Sequence, residues 1–240
     1  MLANMERLFA WLKHAACMAA LALAGLTAAR ADDLDDFNRA VEAAMSHHRV
    51  AAGYLRTGNI ELASVEIDGL REAWAKVSTL PRPAAFRNQE RYTGTILQVA
   101  TQLVGISLVL NLGRPDVARE SLDTIRRMLS DLRRESGVTV LADCVLDANV
   151  AMDALFATDR QPDWESAAAG GESYAATLRR CDSIAPRAIH GHAEFRRLID
   201  GAFASLAQFP KAIDTRDADL LHRLMIELRS FDNLLAFRYG

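Results

Sequence analysis

The chain has 240 residues, half of them hydrophobic and a quarter charged, with a net charge of −3 at neutral pH. A mildly acidic chain has no electrostatic reason to seek nucleic acid or an anionic membrane surface, so neither is an expected partner. Three residues are lysine (Lys13, Lys76, Lys211) against 25 arginines, and alanine is abundant, a bias typical of GC-rich bacterial genes.

The first segment reads as an address. Arg7, Lys13 and His14 form a basic start, Ala15–Leu26 an apolar run, and Ala29-Arg30-Ala31 a small-x-small cleavage site before the acidic "DDLDD". The run of about 12 apolar residues falls short of the roughly 20 a spanning helix needs. Residues 1–31 are therefore expected to be a cleaved signal peptide, with an uncleaved anchor as the alternative. The periplasm of a Gram-negative bacterium is the expected destination. Cys17 lacks a lipoprotein context because His14 stands where a leucine-like residue is needed. Cleavage removes a net +2, leaving 209 residues at −5 with no integral membrane span.

From there the pattern is helical. Leu34, Phe37, Val41, Ala44, His48, Ala51 and Leu55 recur at alternating spacings of three and four. Ile60, Ala63, Ile67, Leu70, Trp74 and Val77 repeat this in a second helix. Tyr92 to Leu110 does so in a third, and Val117, Ser121, Ile125, Met128 and Leu132 in a fourth. An apolar seam of this period opposite a charged face marks bundle helices packed near-antiparallel. Gly58-Asn59 and Gly113-Arg114-Pro115-Asp116 each supply a helix-ending glycine and the next helix start. The twice-used stretch "LRTGNIELASVEIDGLREAW" and "LNLGRPDVARESLDTIRRML" is thus a hairpin building block. Its 55-residue spacing argues against a helical-repeat solenoid. The third helix is uncharged from Tyr92 to Gly113 but carries threonines and glutamines, which predicts a central, deeply buried bundle helix rather than a membrane span.

Weaker seams predict a fifth helix (Leu141, Cys144, Ala148, Ala151, Leu155) and, after "DRQPDWES" with Pro162 in a first turn and a soft "AAAGG", a sixth (Tyr174, Leu178, Cys181). Phe195, Ile199, Ala202 and Leu206 mark a seventh, and Leu221, Leu224, Leu228, Phe231 and Leu235 an eighth. No strand pattern is present. The expected fold is all-α: eight helices in antiparallel hairpins, arranged as two tandem four-helix bundles over residues 32–137 and 138–240.

Cys144 and Cys181 lie on apolar faces of helices joined by a hairpin, 17 residues before and 20 after Gln161. The mismatch is about 4.5 Å along the axis. A disulfide suits this register and an oxidising compartment; two buried thiols are the alternative.

His48 occupies a core position, while His47 turns away. It is read as a core histidine bonded to a neighbour, with metal or non-covalent haem ligation as the alternative, for which Met45 and Met128 lie in the same half. His190, His192 and Glu194 offer nitrogen and oxygen ligands in one loop and form a candidate weak metal site. Arginine pairs recur at 126–127, 133–134, 179–180 and 196–197, mostly as solvated or acid-paired side chains, with an anionic partner surface as the sharper reading. There is no Ser/His/Asp set, phosphate loop or evident carboxylate pair, so no catalytic set is assigned.

The C-terminal "SFDNLLAFRYG" resembles the last helix of cytochrome c′ and c556-like exported four-helix bundles, which ends C-x-x-C-H-x-x-[YF]-R. Phe237-Arg238 match; Ser230, Asn233 and Leu234 stand where the two cysteines and the histidine would be. The resemblance implies a bundle relative without covalent haem. The expected function is a binding or structural role, with a protein or small molecule as partner, and a metal or haem carrier as the alternative.

Overall fold

The structure is a computed structural model that describes residues 33–157 and 163–240. The signal-peptide reading with its periplasmic address, and Pro162, lie outside the described residues. Every long element among them is an α-helix and none is a strand. Helix α1 covers 33–56, α2 Ile60–Thr79, α3 Gln89–Asn111, α4 Pro115–Glu135, α5 Leu141–Phe156 and α6 Trp164–Ile184. A short α7 (Arg187–His190) precedes α8 (Ala193–Leu206), and a short α9 (Phe209–Asp214) precedes α10 (Ala218–Tyr239). The all-α expectation therefore holds.

The helix ends follow local chemistry. Gly58, Gly113 and Gly137 adopt positive φ of 77°, 72° and 69°, the left-handed geometry that ends a helix without a Cβ clash. The Asn59 side chain accepts the Leu62 N–H at the start of α2, and Pro115 opens α4.

Buried apolar side chains fall into two clusters, one from α1–α4 with Phe86 and Val138, the other from α5–α10. α3 packs against both α2 and α4. In the other cluster α10 packs against α5 and α8, and α6 against α5. The seams expected for α1, α2 and α3 are the buried ones, apart from half-buried Leu34 and Ile60 at the first turns of α1 and α2, and Trp74 Nε1 donates to the Ile96 carbonyl 3.2 Å away.

Three expectations need correction. α4 buries Ala118, Leu122, Ile125, Leu129 and Leu132, one residue on from the predicted seam at several positions, because its other flank faces α5 and buries Ser130 and Arg133. α3 is not buried all round. It is the one helix among the described residues long and apolar enough to cross a membrane, yet it buries a single face and leaves Leu97, Val104, Leu108 and Leu112 60–68% exposed. The "AAAGG" stretch does not interrupt a helix but lies inside α6: a Cβ at Gly170 would come within 3.0 Å of Leu155, and one at Gly171 within 2.9 Å of Phe209. Those glycines serve close approach of neighbouring elements.

Two covalent or ionic ties set the second half. Cys144 and Cys181 are disulfide-bonded with Cα atoms 5.4 Å apart, joining α5 to α6. Arg133, in the last turn of α4, forks onto Asp143, in the first turn of α5, with Nε–Oδ2 and Nη2–Oδ1 distances of 2.8 and 2.7 Å. Both side chains are buried, at 8% and 10% exposure.

Without reductant, neither Cys144 nor Cys181 should take up a thiol label in denaturant, and reduction should lower unfolding stability by about 2–4 kcal/mol in urea titrations. Asp143→Ala should cost about 3 kcal/mol by the same assay because it strands a buried guanidinium. The paired change Arg133→Met with Asp143→Leu should cost clearly less.

Candidate functional site

α1 and α4 lie side by side, tied where His48 Nε2 donates to the Leu122 carbonyl at 2.9 Å. That bond fixes the neutral tautomer with its proton on Nε2 and leaves Nδ1 as a pure acceptor. Nδ1 is buried and has no hydrogen-bond partner. Burial holds the His48 pKa down at about 3, against the pull of the Leu122 bond and with help from the Arg126 and Arg49 charges.

His48 lines a cleft of about 190 Å³ where α1 and α4 meet α5 and α10. From α1 come Arg49, Ala52 and Arg56, spaced three and four apart on one face; from α4 come Arg119, Asp123 and Arg126 at spacings of four and three. Asn149 of α5 and Asn233 and Phe237 of α10 complete the wall. The charge is lopsided, four arginines to one aspartate. Arg49 is paired with Glu42 at 2.6 Å and donates to the Gly240 carbonyl oxygen at 2.8 Å. Arg56, Arg119 and Arg126 make no ion pair with a described residue.

Arg126 is held by a polar relay. Its Nη2 donates to Asn149 Oδ1 at 3.3 Å, while Asn149 Nδ2 donates to Asp232 Oδ2 at 2.6 Å. Tyr174 donates to the other Asp232 oxygen at 3.3 Å. Asp232 is fully buried, and burial raises its pKa to about 6 against the Asn149 bond and the Arg229 charge. Burial likewise lowers the Arg126 pKa, which remains cationic.

Arg126 also lines a second concavity of about 350 Å³, walled by apolar Val41, Met45, Leu141 and Ile189 and by the Arg133–Asp143 pair. Asn38 lines it too, with an Oδ1 that lacks a partner. A roomier groove of about 790 Å³ between α6, α8 and α9 is lined mostly by apolar residues, together with Glu172, Arg179 and Asp214, and presents no orphaned polar atom among the described residues.

The other sequence candidates are dispersed. His190 contacts Asp182 at 3.3 Å, Glu194 pairs with Arg238 at 3.1 Å, and His192 precedes α8 without capping it. Among the described residues no three His, Cys, Asp or Glu side chains form a metal-holding group, so the loop residues are not brought together as a site. The arginine pairs mostly meet acids: Arg134 and Arg180 share Asp147, and Arg196 bonds Asp182 and Asp200. Sequence reasoning singled out His48 but missed Arg49, Arg56 and Arg119, whose signal was the seven-residue spacing on each helix rather than adjacency.

An unfolded chain protonates His48 below about pH 6.5, whereas the folded chain resists until about pH 3. Stability contributed by neutral His48 is therefore intact above pH 6.5 and falls by roughly 1 kcal/mol per pH unit on acidification. Between pH 7.5 and 4.5 the parent should lose about 2–3 kcal/mol more than His48→Gln in urea titrations. The chain matches no protein-family model, and no curated protein or solved structure matches it significantly.

Proposed function

We propose that the chain is an exported, periplasmic binding protein, built as two four-helix bundles over residues 32–137 and 138–240, that holds a small molecule in the cleft where they meet and performs no chemistry on it. One observation carries this reading. A buried histidine with an unpartnered ring nitrogen and a half-buried arginine without a carboxylate partner line the same cleft. Buried polar groups are ordinarily satisfied, and an unsatisfied one just beneath the wall of a concavity supports a ligand reaching it there.

A second reading, a metal or non-covalent haem carrier, rests on the same Nδ1, since a neutral imidazole nitrogen is a ligand for either. It also draws on the cytochrome c′-like Phe237-Arg238 ending, in which Phe237 lines the cleft. A Soret band or stoichiometric metal in protein isolated from the periplasm would favour that carrier over the first reading.

The test is a thermal-shift screen of small metabolites on the parent and on Ala52→Trp, which fills the cleft from α1. A ligand at 100 times its Kd stabilises by about 2.7 kcal/mol, or some 5–10 °C at this size. Hits should shift the parent by that order and leave Ala52→Trp unmoved. Ligands that shift both proteins equally, or that are turned over, would sink the proposal.

A further inference from the structure

We infer that the cleft takes a small oxyanion that also carries an O–H group, the chemistry shared by monohydrogen phosphate and the 2-hydroxycarboxylates. The inference rests on the cleft being the binding site and names what it binds.

The arginines define the charge. Arg119, Arg126 and Arg133 stand seven residues apart on one stripe of α4. Their satisfaction falls off along it. Arg133 has a bidentate carboxylate, Arg126 has only a neutral amide oxygen, and Arg119 has no partner among the described residues. Arg56 on α1 faces the same space, also without an ion pair. Guanidinium groups only donate and stay charged, so the complement to this wall is a group of negative oxygens. Asp123 is the one carboxylate among the lining residues, while Glu42 pairs with Arg49 and the Asp232 charge acts on Arg126 from behind the wall.

His48 defines the rest. With Nε2 given to the Leu122 carbonyl, Nδ1 can only accept, and it lies beneath the cleft wall, so a ligand bonds it by pressing between the side chains that cover it. A fully deprotonated anion offers it nothing, whereas an oxyanion with a protonated oxygen both neutralises the arginines and donates to the histidine. The Asp232–Asn149 bond holds the amide so that its oxygen, not its nitrogen, meets Arg126, which keeps that guanidinium turned to the cleft wall. A space of about 190 Å³ lies below the roughly 300–1,000 Å³ of drug-sized sites, which limits the ligand to a few non-hydrogen atoms.

Isothermal titration of the purified protein at pH 7.5 with two matched pairs tests this: phosphate against sulfate, and malate against succinate. The first member of each pair has the O–H and the second lacks it. At least one pair should separate tenfold or more in Kd in favour of the O–H member, and which pair separates tells phosphate from hydroxycarboxylate. Arg119→Ala, an exposed change that leaves the core alone, should weaken that ligand at least tenfold, while Arg87→Ala in the α2–α3 connection should leave it unchanged. No variant of His48 is needed, because the matched anions report on it. Equal affinity within both pairs overturns the histidine contact, and no binding by any of the four overturns the oxyanion assignment. If neutral or cationic metabolites still stabilise the parent but not Ala52→Trp, the oxyanion assignment falls while the cleft stands as the binding site.

Discussion

The bidentate bond between Arg133 and Asp143 sets how the second half of the chain meets the first. Both groups are withdrawn from water, so each depends on the other to offset its lost hydration. Their placement also suits the helix ends: the cation sits in the last turn of α4 and the anion in the first turn of α5. Between them the chain reverses through Gly137, and Val138 donates back to the Arg133 carbonyl at 2.9 Å. With that corner fixed, Asn149 lies two turns along α5 where it can reach Arg126, two turns back along α4. The Arg126–Asn149 contact in the cleft thus lies two turns from an ion pair that lines the neighbouring concavity.

The disulfide acts on the same helix from the other side. It ties α5 to α6, while the ion pair ties α5 to α4. Arg229 adds a link from α10, pairing with Asp153 at 2.5 Å and lying over the Phe156 ring at 4.7 Å from its centroid. α5 is thus held by covalent, ionic and cation–π contacts to three helices. A residue carried on it, such as Asn149, is presented from a rigid support.

How much of this could be read from the chain depends on the range of the interactions involved. The seams of α1, α2 and α3 were legible because a bundle helix writes its buried face at a fixed period. α4 was misread by one residue because it has two neighbours and therefore two buried flanks, one of them polar. Phe86, in the connection before α3, was not legible as core. It packs between Phe37 and Tyr92, with ring centroids 5.1 and 5.4 Å away, and a loop carries no period to announce that. The same distinction divides the cleft. His48 stood out as a polar residue in an apolar seam, a local anomaly. Arg49, Arg56, Arg119 and Arg126 look like ordinary solvent-face arginines until α1 and α4 are laid side by side. The disulfide lay between these cases: hairpin register supplied the partners and the expected oxidising compartment the bond, which the structure has.

Gly240 is packed tightly beside this machinery. Its carbonyl is gripped by Arg49, and even a methyl group on its Cα would meet the Ala236 carbonyl at 2.6 Å and Arg126 at 3.1 Å. Gly240 lines the concavity of about 350 Å³ but not the His48 cleft, and Arg126 is the residue the two spaces share. A side chain at this position would press on Arg126 and so disturb both spaces through that one guanidinium.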